Sequence, residues 1–522
     1  MKYLLCTEAR MADTQQKSPN VGLVFSALII TMLMSSLGQM IFSSALPTIV
    51  GELGGVEHMS WVISAFMVTM TIALPIYGKL GDGLGRKWFY ISGIAFFVIG
   101  SILGGFANTM TLLIIGRAVQ GFGAGGMMIN SQAIIAEVVP ARERGKYMGV
   151  MGAVFGISSV LGPVLGGWFT DGPGWRWGLW MNIPLGLLAM TVASIVLDLS
   201  KGNRDGFRFD WLGATLMAVS TSTLILATTW GGLQYPWDSA RIIGLLVTSA
   251  VAAAIFVVVE LRAKDPLVPM HLFRNRNMAL TTAASVVLGI SMTGVMAYLP
   301  TYLQMVHSMT PTEAGLMMIP MVGGMIITSI GIGALITRTG HYKAFPIVGL
   351  IIVAVGCFLL SRLTVDTGLW TLGSYIFIYG FGLGMVMQVL ILIVQNSFPI
   401  SVVGTATAAN NFFRQIGMSV GASIVGTVFI HNMQNNMEER LPDALKALGP
   451  EGAKYAEAFD GGAAQSMTPG TVNHLPQPLH DAIASSYNDG LTPIFLLLIP
   501  LVVAAALLLV PVHEDTLKET VE

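Results

Sequence analysis

Fourteen stretches of this 522-residue chain are each apolar for about as long as a helix needs to cross a bilayer, roughly 20 residues at 1.5 Å apiece. They fall near 21–46, 58–79, 88–107, 111–135, 146–169, 176–197, 210–230, 241–260, 278–305, 313–336, 344–362, 369–397, 404–430 and 491–511. Lipid offers no hydrogen-bond partner, so each run must satisfy its own backbone as a helix. The composition agrees: 54% of residues are hydrophobic and 11% charged, against about 45–50% and 25% in a soluble domain. Too few charges remain to cover a water-soluble globular enzyme, and too many apolar groups for a disordered chain. The expected fold class is an all-α polytopic membrane protein. A net charge of −1 gives no basic excess to attract nucleic acid. Cys6 and Cys357 lie in a polar tail and an apolar run, which does not suggest a disulfide. Leu4-Leu5-Cys6 is too short for the apolar core of a cleavable signal, and Met11 is an alternative start.

Basic residues orient the spans. Lys79, Arg86, Lys87, Arg142, Arg144, Lys146, Arg262, Lys264, Arg274, Arg276, Arg338 and Lys343 all fall on one side. The short loops of the other side hold Arg176, Arg241 and Arg362. This predicts both termini in the cytoplasm.

The chain repeats itself weakly. Gly78, Leu80 and Gly85 recur 255 residues later as Gly333, Leu335 and Gly340, and Gly162 and Gly166 recur as Gly417 and Gly421. Gly121-Phe122-Gly123 precedes Pro140 by the same 19 residues that separate Gly380-Phe381-Gly382 from Pro399. Duplicated bundles are a signature of secondary transporters, with the cargo path between the halves. The expected organisation is a tail (1–20), a six-helix bundle (21–197), a linker with two additional helices (198–277), a second six-helix bundle (278–511) with a long outside loop (431–489), and a tail (512–522).

Four features carry chemistry. In the loop 78–90, Gly78 and Gly85 allow a tight turn, and Asp82, Arg86 and Lys87 can bridge neighbouring helix ends. A latch that opens and closes one side is one reading; a short basic loop is the other. Glu137, close to Arg142 and Arg144, is expected to join such a latch. Arg117 is a charge inside a span, which is costly and marks either function or snorkelling to the nearby outer surface. Gln120 shares its helix face. In the fifth span Gly162, Pro163, Gly166 and Gly167 read as a tight, kinked seam or as ordinary small-residue packing. Arg414, beside Asn410 and Asn411, is a second embedded cation, open to a structural tie or a cargo role.

In combination these stretches resemble the major facilitator superfamily, and within it the fourteen-helix drug:proton antiporters. GKLGDGLGRK resembles the superfamily's loop motif, LIIGRAVQGFGAG its helix-four arginine motif and GPVLGG the antiporter motif. ALPTIVGEL, PARERGK, WRWGLWMNIPLG and NNFFRQIG are similar to this subfamily too. The resemblance implies two six-helix bundles plus two additional central helices, alternating access, and multidrug export from a bacterial cell membrane driven by protons. It also implies an Asp in the first span, in a pattern like L-D-x-T before A-L-P. Here the stretch reads Leu37-Gly38-Gln39-Met40, so Gly38 occupies the acidic position and cannot titrate.

None of the 28 acids replaces it deep in a span. Glu313, after Thr310-Pro311, reads as a capping-box carboxylate with proton carriage as the alternative. Polar candidates along the cargo path are Gln39, Asn130, Gln132, Gln388, Asn410 and Asn411. The eight histidines show no metal spacing, no phosphate-cradling loop suggests ATP, and no cofactor or enzymatic constellation is expected. The expected partners are a small amphipathic cargo, protons and the bilayer; an adaptor stays open. A lipid or endogenous-metabolite exporter with weak or no proton coupling is the alternative function.

Overall fold

The structure is a computed structural model that describes residues 21–54, 58–199, 202, 207–232, 234–452, 455–456, 472 and 474–517. The tail at 1–20, the alternative start at Met11, the middle of the 431–489 loop and residues 518–522 lie outside the described residues.

The elements follow the apolar runs. They are α1 (Val21–Met40), α2 (Phe42–Leu53), α3 (Met59–Leu84), α4 (Arg86–Gly105), α5 (Met110–Val138), α6 (Ala141–Asp171), α7 (Trp177–Trp180), α8 (Asn182–Val196), α9 (Trp211–Trp230) and α10 (Ala240–Arg262). Then come α11 (Arg276–Met296), α12 (Leu299–Val306), α13 (Pro311–Leu316), α14 (Ile319–Thr339), α15 (Ala344–Leu360), α16 (Leu369–Asn396), α17 (Ile400–Ala447) and α18 (Gln477–Leu509). Thirteen spans among the described residues are long and apolar enough to cross a membrane, and the shorter α15 is apolar as well. The chain is an all-α polytopic protein.

α1, α3, α4, α5, α6 and α8 pack as one bundle, and α11, α14, α15, α16, α17 and α18 as the other. The bundles meet where α6 lies on α14 and α16 and where α3 and α5 lie on α17. The additional pair α9–α10 docks through α9 against α3 and α17. One end of the molecule collects the ends of α3, α5 and α14, the starts of α6 and α17, and the returning residues 513–515. It carries the excess of Lys and Arg and is the basic end of the molecule.

The internal repeat is visible in the backbone. Gly85 and Gly340 terminate α3 and α14 with φ of 101° and 76°, a conformation that favours glycine. A side chain on Gly121 would fall on the Phe66 carbonyl and one on Gly123 on Phe97. One on Gly380 would fall on the Met321 carbonyl and one on Gly382 on Gly349 and Val353. Each Gly-Phe-Gly therefore lets its helix approach two neighbours at backbone distance.

Four spans are broken where a single helix is expected; the sixth breaks at Met181, between α7 and α8. The first stops at Met40 and resumes at Phe42. The ninth breaks between Met296 and Leu299 and the tenth between Leu316 and Ile319. Pro300 and Pro320 sit in the first turn of the resumed helices, where a missing N–H costs least.

The expected outside loop 431–489, a polar stretch with short helical pieces, is helical at both ends. α17 runs on to Ala447 and α18 begins at Gln477. At 48 residues, α17 is about 72 Å long, more than twice the bilayer core. Met433, Met437, Leu441, Ala444 and Leu445 recur at helical spacing in this otherwise polar stretch and pack with Leu479, Ala482, Ile483 and Tyr487 of α18. That apolar stripe holds the protruding pair together.

Candidate functional site

At the basic end, Leu84 and Gly85 stop α3 just after Asp82, and Arg86 opens α4. This places both side chains against the other bundle. Asp82 accepts from the backbone N–H of Gly404 (3.2 Å) and Thr405 (2.6 Å) and from the Thr405 hydroxyl (2.8 Å) in α17. Arg86 donates to Asp82 (2.7 Å), to Glu137 at the end of α5 (2.8 Å), to the Ala133 carbonyl (3.2 Å) and across the interface to the Ile400 carbonyl (2.7 Å). One guanidinium thus serves two carboxylates and one helix start. Gly78 allows this closeness: a Cβ there would lie 2.5 Å from Ala408 and 2.9 Å from the Gly404 carbonyl.

The repeat-related junction joins the end of α14 to the start of α6. Arg142 donates to the carbonyls of Thr337 (3.1 Å) and Arg338 (3.4 Å), the favourable place for a cation at a helix C-terminus. Arg144, expected to meet Glu137, instead caps α5 through the carbonyls of Val139 (3.0 Å) and Ala136 (2.5 Å). Lys87 turns away to the Ser194 carbonyl of its own bundle (2.8 Å).

Further in, α6 presents Gly145, Gly149, Gly152 and Gly156 to the other bundle. A side chain on these would meet Gly333, Ser329, Gln388 and Met325 in turn. The interbundle seam of α6 therefore begins well before the expected Gly162, Pro163, Gly166 and Gly167. Gly162 packs on Met40 of its own bundle, Gly166 is buried, and a Cβ on Gly167 would meet nothing within 4 Å. α6 runs unbroken through Pro163.

In the middle of the interface, Asn411 of α17 donates to the Gln132 side chain of α5 (2.8 Å), and Gln395 of α16 donates to the Gln132 carbonyl (3.1 Å). Arg414 donates to the Asn411 side-chain oxygen (2.6 Å). Arg117 is 1% exposed. It donates to the carbonyls of Gly38 (2.8 Å) and Val62 (3.2 Å) and to Gln120 (2.6 Å), which donates in turn to Ser101 (2.9 Å). The rings of Phe42 and Phe66 lie 4.3 and 4.2 Å from its guanidinium carbon. Arg117 is thus held inside the bundle and does not snorkel.

A Cβ on Gly38 would sit 2.8 Å from the Phe97 ring and 3.6 Å from Gln120. The place of the expected acid is filled by an aromatic ring. Glu313 forms the capping box with Thr310 (2.8 Å from N–H, 2.9 Å from hydroxyl) on the exposed surface. Gln39 lines a cavity of about 30 Å³ with Ser35, Ser36, Met70, Met128 and Phe155. Gln388 lies on the α6 seam with Oε1 buried and unbonded. Asn130 bonds to its own helix and packs on Gly81 beside Arg86, and Asn410 bonds within its own bundle to Thr282 and Ser285. The hydrogen bonds of both stay within their own bundle. Gly404, Thr405, Gln395 and the early α6 glycines were not singled out from the sequence, although Gly145, Gly149 and Gly152 show small-residue spacing. Among the described residues no group of three His, Cys, Asp or Glu could hold a metal ion.

Comparison with known proteins gives a consistent answer. The profile of the Major Facilitator Superfamily matches residues 28–422. An uncharacterized MFS-type transporter of Mycobacterium tuberculosis is 39% identical, covering 95% of this chain and 70% of that protein. The multidrug transporter protein MdtP of Bacillus subtilis is 36% identical over 91% of this chain and 89% of its own. Multidrug resistance protein 3 of the same organism is 34% identical over 96% of each. The solved structure of the human organic anion transporter MFSD10 (TETRAN) shares the fold, with a TM-score of 0.59 and 14% identity over 93% of this chain and 100% of that one. With the duplicated bundles and the junctions between them, these matches establish that the chain belongs to the Major Facilitator Superfamily and is a multi-pass membrane transporter.

Proposed function

We propose that this protein is a secondary active exporter of amphipathic compounds in a bacterial cell membrane, working by alternating access with proton antiport and with both termini in the cytoplasm. The observation that carries the reading is the reach of Asp82 and Arg86 from one bundle into the first turns of α17 on the other. A structural loop has no need to cross the interface. A latch does, because its bonds are kept when the basic end is closed and lost when it opens. Gly78 and the glycines of α6 let the bundles close at backbone distance there. Few side chains have to interdigitate, so separation costs little packing. Relatives of this chain named multidrug transporters point to the same activity.

A second reading, export of a lipid or endogenous metabolite with weak or no proton coupling, is favoured by one observation. Phe97 occupies the space beside Gly38, and no carboxylate among the described residues lies in the central spans away from their ends. Dye efflux from energised vesicles, with and without a protonophore, separates the two. Collapse of efflux with the gradient is expected. Undiminished efflux without a gradient selects the uncoupled carrier, and absence of transport for every amphipathic dye overturns both.

A further inference from the structure

We infer that the cargo carries an anionic group and that Arg414 is the side chain that receives it; the inference rests on the transport reading above. Charge inside the spans is unbalanced. Asp82 and Glu137 share Arg86 at the basic end. Glu260, at the same end of α10, accepts from the N–H groups of Leu267 and Val268. Glu313 is an exposed cap. What remains deep in the bundles are Arg117 and Arg414, 1% and 4% exposed, each without an ion pair among the described residues. Arg414 stands 14 residues into α17, about 21 Å from the basic end and past the midpoint of a core about 30 Å thick. Two fixed cations without fixed anions make this region attractive to anions and repulsive to cations.

The two arginines differ in what they already hold. Arg117 is used up: three hydrogen bonds and two flanking rings fix it within its own bundle. Arg414 makes one bond among the described residues, to the Asn411 oxygen, although a guanidinium offers five N–H donors. The next residue, Gln415, is 5% exposed and its side-chain nitrogen is buried with no acceptor. This turn of α17 therefore carries donors that no acceptor among the described residues meets, and for the Arg414 guanidinium a carboxylate, sulfonate or phosphate is what satisfies them.

Asn411 explains how the cargo is admitted and displaced. Its amide nitrogen donates to Gln132 on the opposite bundle (2.8 Å) and to Thr407 (3.0 Å). The bond to Gln132 points its oxygen at Arg414. In the closed state that neutral oxygen stands where an anion would stand. When the bundles part at this level, Gln132 leaves, the Asn411 amide is freed to turn, and Arg414 can take the anionic group. Reclosure restores Asn411 and expels it.

The experiment uses full-length protein in proteoliposomes with three amphipathic dyes of similar size: anionic carboxyfluorescein, cationic rhodamine 123 and neutral Nile red. The wild type is expected to move the anion at least about tenfold faster than the cation, and Arg414→Gln to lose about 10- to 100-fold on the anion, the loss from removing charge-assisted hydrogen bonds. Neutral-dye transport should fall far less, so the effect is read as the anion-to-neutral ratio. Should Arg414→Gln fail to fold, Arg414→Lys keeps the charge without the fork and should raise the KM for the anion several-fold relative to that for the neutral dye. Asn411→Ala, by freeing Arg414, should lower the anion's KM, which a merely structural asparagine would not do. Movement of the cation alone, or full anion transport by Arg414→Gln, overturns the anion assignment and leaves the transport reading standing. Movement of no dye overturns the transport reading as well.

Discussion

The two junctions at the basic end occupy repeat-related places and are built from different chemistry. Both have a glycine with positive φ closing the incoming helix, Gly85 and Gly340, and both bring glycine backbones together, Gly78 with Gly404 and Gly333 with Gly145. The first adds two carboxylates and a guanidinium in partial burial. At the second, the position matching Asp82 is Thr337, whose carbonyl receives Arg142, and the position matching Arg86 is His341, which faces Glu514 of the returning tail. The two junctions thus share the geometry of closure and differ in charge. The geometry sets where the bundles touch. The chemistry sets which contact is strong enough to hold and specific enough to break.

The largest effect is expected from Arg86→Ala. The substitution leaves Asp82 and Glu137 without their shared cation, and removing one partner of a buried pair costs about 3–5 kcal/mol. Transport should fall to background and the melting temperature should drop, and a cysteine placed at Thr405 should become reactive to a membrane-impermeant thiol reagent at the basic end. Normal transport by this variant would remove the first junction from the mechanism.

The glycines come next. A methyl group on Gly404 would meet Asp82, and one on Gly333 would meet the backbone of Gly145. Each should cost about 1–3 kcal/mol by overpacking, but for different reasons. Asp82→Ala should relieve Gly404→Ala and leave Gly333→Ala unrelieved. A double-mutant cycle on melting temperature reads this directly; equal relief of both would mean the junctions are one coupled unit.

These junctions were half legible in the sequence. Gly85, Gly340, Pro140 and Pro399 announce helix ends because their backbone demands are local. The spans themselves follow from apolar length. The partners do not, because Arg86 and the Ile400 carbonyl are 314 residues apart and nothing local in either stretch names the other. Arg144 shows the converse error: nearness to Glu137 in the chain suggests a pair, but Arg144 donates to the carbonyls at the end of α5. The sequence reads as short helical pieces in 431–489, and their continuity with α17 is not legible because 431–447 is polar overall, although its stripe of Met433, Met437 and Leu441 keeps helical spacing.

A smaller effect is expected at the second junction. Arg142→Ala removes bonds to two carbonyls at a half-buried helix end, a loss of about 1 kcal/mol. Transport should slow by several-fold and persist. A loss as complete as that of Arg86→Ala would show that the junctions are equivalent after all.

The smallest effect distinguishes the junctions by pH. Glu514 is partly buried, which pushes its carboxyl up, but the N–H groups of Lys343 and Tyr342 and the ring of His341 outweigh burial and hold it below the ordinary value of 4.5. A carboxyl depressed in the folded state stabilises the fold above its unfolded value, and that contribution is lost as pH falls through the folded one. Glu514→Gln should therefore melt slightly below the wild type at pH 7, and the gap should close as the pH is taken below about 4.5. Lys343 and Tyr342 stand just before α15, so the tail strap braces the second junction from outside the bundles, whereas at the first the linker residues Gly202 and Phe207 pack on Gly83 and Gly85. A gap that holds constant down to pH 3 would mean that the strap contributes no charge-dependent stability and that the second junction stands on its backbone contacts and Arg142 alone.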